Sequence, residues 1–406
     1  MAAILHANSN TFAFAANTTR YFIPGSDNNQ NSAVESANQV LMRTAGLINY
    51  LYFRTDANTI TATTTFTSRI ASGAGNLSIS IGASTTGEFE DTTNTDSIAA
   101  GQTFGYQMIA GATGTSMTLR YLSHVFTAST DTVKKYSQKV NFTLSTGAVT
   151  GYIAFQGVPG SPGATESSYQ MKARGHGQFQ NGLVRISANT ESVAVIFNTR
   201  INSVDGTLSV SCTASTTGAF EDTTHTDTVK ATDLVNWAVN KAASTGSMTL
   251  DTVAVEFLST GSTALAAGGY FYMLAINTVT TSAQAVNSTA YWQMEGALSS
   301  NTTEATKQLK ARLPFTASNG FVRLSLNTVT AASTFTLRLT AVDSTLVVSM
   351  TASTTGIFED TTHTVAVAAA KELSWKCVTG ATGTSLSVPM AGPLLANNVS
   401  SMMEAF

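Results

Sequence analysis

Charge is scarce in this chain. Asp, Glu, Lys and Arg make up 11% of its 406 residues, less than half the usual share of about 25%. The formal net charge is −3 and no run of Lys or Arg occurs. Nucleic acid demands a basic stripe of phosphate contacts, and an anionic membrane surface demands a basic cluster, so neither is an expected partner. Cysteine is nearly absent. Cys212 and Cys377 sit at non-equivalent places of the repeat described below, so no disulfide framework belongs to the design and both read as small buried apolar residues. No stretch approaches the 18 or so apolar residues of a membrane helix. The opening Met1-Ala2-Ala3-Ile4-Leu5-His6 has neither a basic n-region nor a sustained apolar run. The expectation is a soluble protein made in a cytoplasm without an ordinary export signal. Long Ala/Glu/Lys/Leu stretches, from which helices are built, are also missing. So are H-E-x-x-H, G-x-S-x-G, phosphate-binding glycine loops and paired-cysteine metal signatures. The sequence therefore predicts no enzyme, no cofactor and no metal site.

What the chain does contain is one unit written three times. Ala83 to Thr95 reads A-S-T-T-G-E-F-E-D-T-T-N-T, and it returns at Ala214 to Thr226 and at Ala352 to Thr364 with changes only before the Phe and before the last Thr. Asp91 maps to Asp222 and Asp360, so the offsets are 131 and then 138. The same offsets align Asn58, Asn189 and Asn327, and they reach back to Glu35, Glu166 and Glu304 and to Tyr21 and Tyr152. A register kept over such a span means repeated modules. The boundaries read as an N-terminal arm at 1–20, repeats at 21–126, 152–257 and 290–395, strand-bearing linkers at 127–151 and 258–289, and a tail at 396–406.

Each repeat reads as β. Leu77-Ser78-Ile79-Ser80-Ile81 alternates apolar with polar, as do Leu208 to Cys212 and, less strictly, Leu346 to Met350. That is the period-two pattern of a strand with one buried face. A preceding strand and a short polar turn, Ser72 to Asn76 in the first copy, make each pair a hairpin. Many short strands at such spacing predict an all-β chain of three tandem antiparallel β-sandwich domains of the jelly-roll kind.

The repeated loop has its own logic. Gly87, Gly218 and Gly356 supply the positive φ of a tight turn. Phe89, Phe220 and Phe358 are expected to anchor it by inserting a ring into the core. Asp91, Asp222 and Asp360, each followed by Thr-Thr, are placed to accept backbone N–H bonds. A calcium cage is the competing reading, but it needs about six to eight oxygens and the Glu-Asp pairs (Glu90, Glu221, Glu359) bring two carboxylates each. Adjacent residues on a strand face opposite ways, which also disfavours a paired-carboxylate hydrolase. Of the histidines only His225 and His363 are equivalent, and the first copy has Asn94 there.

Arginine recurs at three places, Arg43/Arg174/Arg312, Arg54/Arg185/Arg323 and Arg69/Arg200/Arg338, which is nine of the 21 basic residues. Repeated acids match them, so salt bridges within the sandwich, or bidentate pairs across domain or subunit interfaces, are both expected. A repeated aromatic position, Tyr106, Trp237 and Trp375, suits core packing, an inter-domain contact or a ring stacked on sugar.

The order of hairpin, A-S-T-T-G-x-F-E-D-T-T-x-T loop, Ala/Val-rich strand such as Val365 to Ala369, aromatic strand and G-A-T-G-T-S-L resembles the jelly-roll modules of tumour necrosis factor and complement collagen heads. Versions of that module occur in bacteriophage virion proteins and bacterial surface fibres. The resemblance covers about three quarters of the chain and implies TNF-like sandwiches that assemble by threefold contacts. It points to a structural virion protein, a bacteriophage capsid decoration or head-fibre component, assembled in a host cytoplasm. Its partners would be other virion or capsid subunits or itself, as a homotrimer or as a pseudo-trimeric monomer. Alternatives are an adhesive fibre gripping surface glycans and a subunit of a microbial extracellular filament.

Overall fold

The computed structural model describes residues 3–24, 31–42, 44–129, 133–144, 147–155, 162–173, 176–259, 270–273, 276–277, 283–294, 296–297, 300–311 and 314–397. The chain forms two compact units, one holding the first repeat and the other the second and third. It is all-β, and its named helical segments among the described residues are three short 3-10 turns, at Glu35–Asn38, Glu166–Ser168 and Glu304–Thr306.

The first repeat sets the pattern. Its strands are β1 (Ala3–Ala15), β2 (Thr19–Phe22), β3 (Asn31–Ser32), β4 (Val40–Leu41), β5 (Gly46–Ile60), β6 (Thr64–Ile70), β7 (Gly73–Ile81), β8 (Gly87–Ile98), β9 (Thr103–Ile109) and β10 (Gly114–Ala128). One antiparallel sheet runs β1-β10-β5-β8 and the other β3-β2-β9-β6-β7, with β4 also paired to β9. Alternation decides which side chains face inward: Leu77, Ile79 and Ile81 are buried while the residues between them are exposed. The two sheets close on one core. Ile48, Phe53 and Leu119 come from the first, and Phe22, Phe66 and Phe104 from the second. Phe53 and Phe66 meet across it with ring centroids 5.3 Å apart. Each such buried ring contributes about 1.5–3 kcal/mol of transfer free energy.

The second repeat repeats this order, with sheets of 133–144, 248–259, 177–189 and 218–222, and of 149–153, 234–241, 195–201 and 204–212. In the third, the counterpart of β5 is split into Phe315–Leu324 and Leu326–Val329. The counterpart of β10 is also split, into Gly383–Ser387 and Met390–Asn397. Pro389 stands at the break, and proline has no N–H to give a ladder.

The arm and the linkers hold strands that enter these sheets. β1 pairs with β10 along its length, Val133–Leu144 pairs with Met248–Ser259, and Tyr270–Met273 pairs with Met390–Asn397. Each is thus the outer strand beside the last strand of the repeat that follows it. Of the expected tail, 398–406 lies outside the described residues.

The hairpin turn differs from the sequence reading. It is two residues, Ala71-Ser72, with φ of 47° and 63°, and its counterparts Asn202-Ser203 and Thr340-Ala341 have φ of 52° and 64° and of 49° and 63°. Gly73 already belongs to β7. Two successive left-handed residues make a type I′ turn, which matches the twist of the flanking strands. Non-glycine residues hold it because a side chain clamps it, as described next.

Candidate assembly interface and the braces of the repeat

Two polar constellations recur in all three modules, and the first is built on the loop aspartate. β8 begins after the turn, with Gly87, Gly218 and Gly356 at φ of 115°, 116° and 113°. Asn58, Asn189 and Asn327 hold this turn, each donating its side-chain amide to two loop carbonyls, as Asn189 does to Thr213 O at 3.0 Å and Thr216 O at 2.9 Å. Asp91 then points inward, 5% exposed, while Glu90 faces out. Its carboxylate accepts Ser78 N–H at 2.9 Å, Thr93 N–H at 3.2 Å, Asn94 N–H at 3.1 Å and the Asn94 side-chain amide at 2.9 Å. Asp222 and Asp360 do the same, with the ring nitrogen of His225 at 3.0 Å and of His363 at 2.9 Å in the place of the amide. Asn and His are therefore interchangeable here as donors. Burial alone would raise the Asp91 pKa, but the Ser78, Asn94 and Thr93 donors override it and bring it down to about 2. Asp222 is lowered for the same reasons, and Asp360 reaches about 2. A carboxylate so surrounded by N–H and O–H groups presents no lone pair to a cation without breaking these bonds.

The bond from Ser78 N–H crosses from one sheet to the other, since Ser78 lies on β7 and Asp91 on β8. A second carboxylate, not singled out from sequence, stitches the same edge. Asp96 accepts Asn76 N–H at 2.6 Å and Leu77 N–H at 3.3 Å and also bonds the Ser68 hydroxyl. Asp227 repeats this with Thr207 N–H at 2.6 Å, Leu208 N–H at 3.1 Å and the Thr199 hydroxyl.

The second constellation is a bidentate clamp. Arg69 reaches Glu35 at 2.8 and 3.0 Å, Arg200 reaches Glu166 at 2.9 and 3.1 Å, and Arg338 reaches Glu304 at 2.7 and 3.0 Å. Each guanidinium also donates to the carbonyl of the hairpin turn, Ser72, Ser203 or Ala341. The Glu35 hydrogen bond raises the Arg69 pKa, and Glu166 and Glu304 raise those of Arg200 and Arg338. These arginines brace the inside of a module. Arg200 and Arg338 also lie over the rings of Tyr152 and Tyr291, 5.6 Å from each centroid. Tyr291 takes the place of Tyr152 although it is one residue beyond the fixed offset.

The phenylalanines correct the sequence reading, and the aromatic position takes the core-packing alternative. Phe89, Phe220 and Phe358 are half-buried rather than inserted. β8 is the terminal strand of its sheet, so Phe89 packs against the margin of the core. Tyr106, Trp237 and Trp375 are 1%, 0% and 0% exposed, so these rings face neither a sugar nor an interface. The indole N–H groups of Trp237 and Trp375 are buried without a hydrogen-bond partner.

The remaining arginines divide. Arg54 stays in its own module, 3.4 Å from Asp56. Arg323 does not: it has Ser325 in the place of that aspartate, and it donates to the carbonyl of Gln170 in the second module at 3.1 Å. Burial lowers its pKa. Beside it Lys172 of the second module pairs with Glu359 of the third. A short edge strand of one module, Met171–Lys172, is thereby read by an arginine and a glutamate on the sheet of the next. Arg185 lies on the equivalent strand of the second module. Arg43, Arg174 and Arg312 lie outside the described residues.

No protein-family model matches the chain, and no curated protein matches it. It is similar to a solved structure reported as the triple jelly-roll fold and turret assembly in an archaeal virus, at 13% identity and a TM-score of 0.19, over 99% of this chain and 92% of that one. A likeness at that score is too slight to bear on fold or role.

Proposed function

We propose that the chain is a non-enzymatic structural protein of a virion, a bacteriophage capsid decoration or head-fibre component. Its TNF-like jelly-roll modules assemble through threefold or pseudo-threefold contacts, with other virion or capsid subunits or with copies of itself as partners. The observation that carries this reading is the docking of the second module on the third through Lys172 with Glu359 and Arg323 with Gln170. The contact joins unlike surfaces, and such a heterologous contact, repeated, closes into a ring or grows into a filament. The residues for repeating it recur in part: Lys310 stands at the place of Lys172, where the first module has Leu41, Arg185 stands at that of Arg323, and Glu90 and Glu221 at that of Glu359. The buried carboxylates, by contrast, are committed to hydrogen bonds inside their modules, which leaves them poorly disposed to catalysis.

Light scattering on a sizing column across a range of concentrations tests this. A compact monomer of 42.3 kDa fits closure within one chain, and a stable species of three chains fits a symmetric fibre. A chain that stays extended and monomeric at every concentration, or that binds soluble sugar saturably, contradicts the assembly reading.

A further inference from the structure

Each module interrupts its ladder where β5 passes β10, or where their counterparts pass. In the first, Arg54 pairs with Tyr121, Thr55 with Leu119 and Ala57 with Thr118, so Asp56 and Arg120 both fall outside the ladder. Their side chains close the gap as an ion pair. In the second, Ser187 and Asp251 are left out in the same way, and the Ser187 hydroxyl donates to the Asp251 carboxylate at 2.7 Å. The third has Ser325 and Pro389 there, and proline brings no polar side chain. Its sheet is cut at this point, with Arg323 paired to Met390 on one side and Leu326 to Ser387 on the other.

The repeated arginine stands two residues before this crossing. Residues so spaced on a strand share a face, and in the first module Nε of Arg54 lies 3.4 Å from Oδ1 of Asp56. Arg323 meets no acid at position 325. It donates instead to the Gln170 carbonyl of the second module at 3.1 Å. That carbonyl belongs to an anchored residue: Gln170 is buried, and its side-chain amide donates to the Ser203 hydroxyl of its own hairpin turn at 2.8 Å. Lys172, on the same edge, pairs with Glu359.

We infer that position 325, like its counterpart 56, selects which module accepts the edge strand of another: serine leaves the arginine to the partner module, and aspartate keeps it within its own sheet. The third module is thereby the acceptor of the edge Met171–Lys172, and the first, with Asp56, withholds its arginine from such an edge. This rests on the assembly reading above and specifies the contact that carries it.

The physical ground is a competition for one guanidinium. A carboxylate two residues away attracts it by charge, which a neutral carbonyl across an interface does not, and the pair forms within a single strand. Burial lowers the Arg323 pKa, in keeping with a half-buried cation whose acceptor is neutral. Ser325 itself is exposed, so a larger polar side chain fits there without disturbing the core.

The test is hydrogen exchange on the full chain carrying Ser325→Asp, with Ser325→Asn as the uncharged isostere. In Ser325→Asp, peptides covering 166–173 and 356–363 are expected to exchange about fivefold faster than in wild type, while 195–212, inside the second module, keeps its rates. Ser325→Asn is expected to match wild type. Unchanged rates in Ser325→Asp overturn the inference, and so does an equal acceleration in Ser325→Asn, which would mark size rather than charge. Should Ser325→Asp not fold, Arg323→Gln decides: acceleration of the same peptides supports the inference and wild-type rates overturn it. Lys172→Ala reports on the docking alone. If it accelerates these peptides and Ser325→Asp does not, only the present inference falls; if neither does, the assembly reading falls with it.

Discussion

The first and third modules fill one buried corner in opposite ways. In the first, Asp96 accepts backbone N–H groups of β7 and the hydroxyl of Ser68, and Gly75 lies beneath them. A Cβ on Gly75 would sit 2.2 Å from the Ser68 hydroxyl and 2.5 Å from the Asp96 carboxylate. The second module keeps this arrangement with Gly206, Thr199 and Asp227. The third has Ser344, Leu337 and Val365 at the same places, and there Ser344 accepts the N–H of Leu346 at 3.2 Å. Three residues have changed as one. Elsewhere the exception is the second module: Lys241 and Glu191, wholly buried and 2.5 Å apart, replace Ala110 with Ile60 and Thr379 with Val329. A buried polar set and an apolar set of similar shape are alternatives, and the half-way states are the unstable ones.

Breaking a set by half is expected to produce the largest loss. Lys241→Ala leaves Glu191 buried without its cation and should cost about 3–5 kcal/mol, read from the tryptophan-detected unfolding of the second unit in urea. Glu191→Ile together with Lys241→Ala should be neutral or stabilising, since the first module already carries that pair. Next in size is Asp222→Ala, which strands the N–H groups of Ser209, Thr224 and His225 and should cost about 3 kcal/mol. The same capping makes stability depend on pH. Asp91 and Asp360 have pKa values lowered from 3.8 to about 2, so their contribution is present above 3.8 and is lost as pH falls to about 2. Each is worth about 2 kcal/mol over that window, measurable as a falling urea midpoint.

Smaller losses sharpen the comparison at the glycines. Gly206→Ala pushes a Cβ to 2.1 Å from the Asp227 carboxylate and should cost about 1–3 kcal/mol. Gly87→Ala meets nothing within 4 Å, so only its φ of 115° matters, and the cost should be about 1–2 kcal/mol. Smallest of all should be the transplant of the whole corner, Gly75→Ser with Ser68→Leu and Asp96→Val, within about 1 kcal/mol of wild type by thermal unfolding.

These particulars also mark what was legible beforehand. The alternation of Leu77, Ile79 and Ile81 is local, and the repeat of Asp91, Asn58 and Arg69 keeps one spacing, so strands and braces could be read from sequence. The two-residue turn could not be, because Ala71-Ser72 and Thr340-Ala341 carry no turn signal and owe their left-handed backbone to an arginine anchored 34 residues upstream. The depth of Tyr106, Trp237 and Trp375 depends on which sheet face they occupy. Lys172 and Glu359 are 187 residues apart and each reads, within its own copy, as an ordinary surface charge. Asp96 escaped notice because the third copy has Val365, and a search for residues present in all three copies discards it.

The account rests on the repeated carboxylates being structural caps rather than ligands. Thermal unfolding of the full chain with and without millimolar calcium tests that most directly, because a cation bound only to the folded state raises the midpoint by mass action. The expected result is one midpoint in both buffers, lowered equally in both by Asp222→Ala. A calcium-dependent rise in the wild type that disappears in that variant would contradict the account.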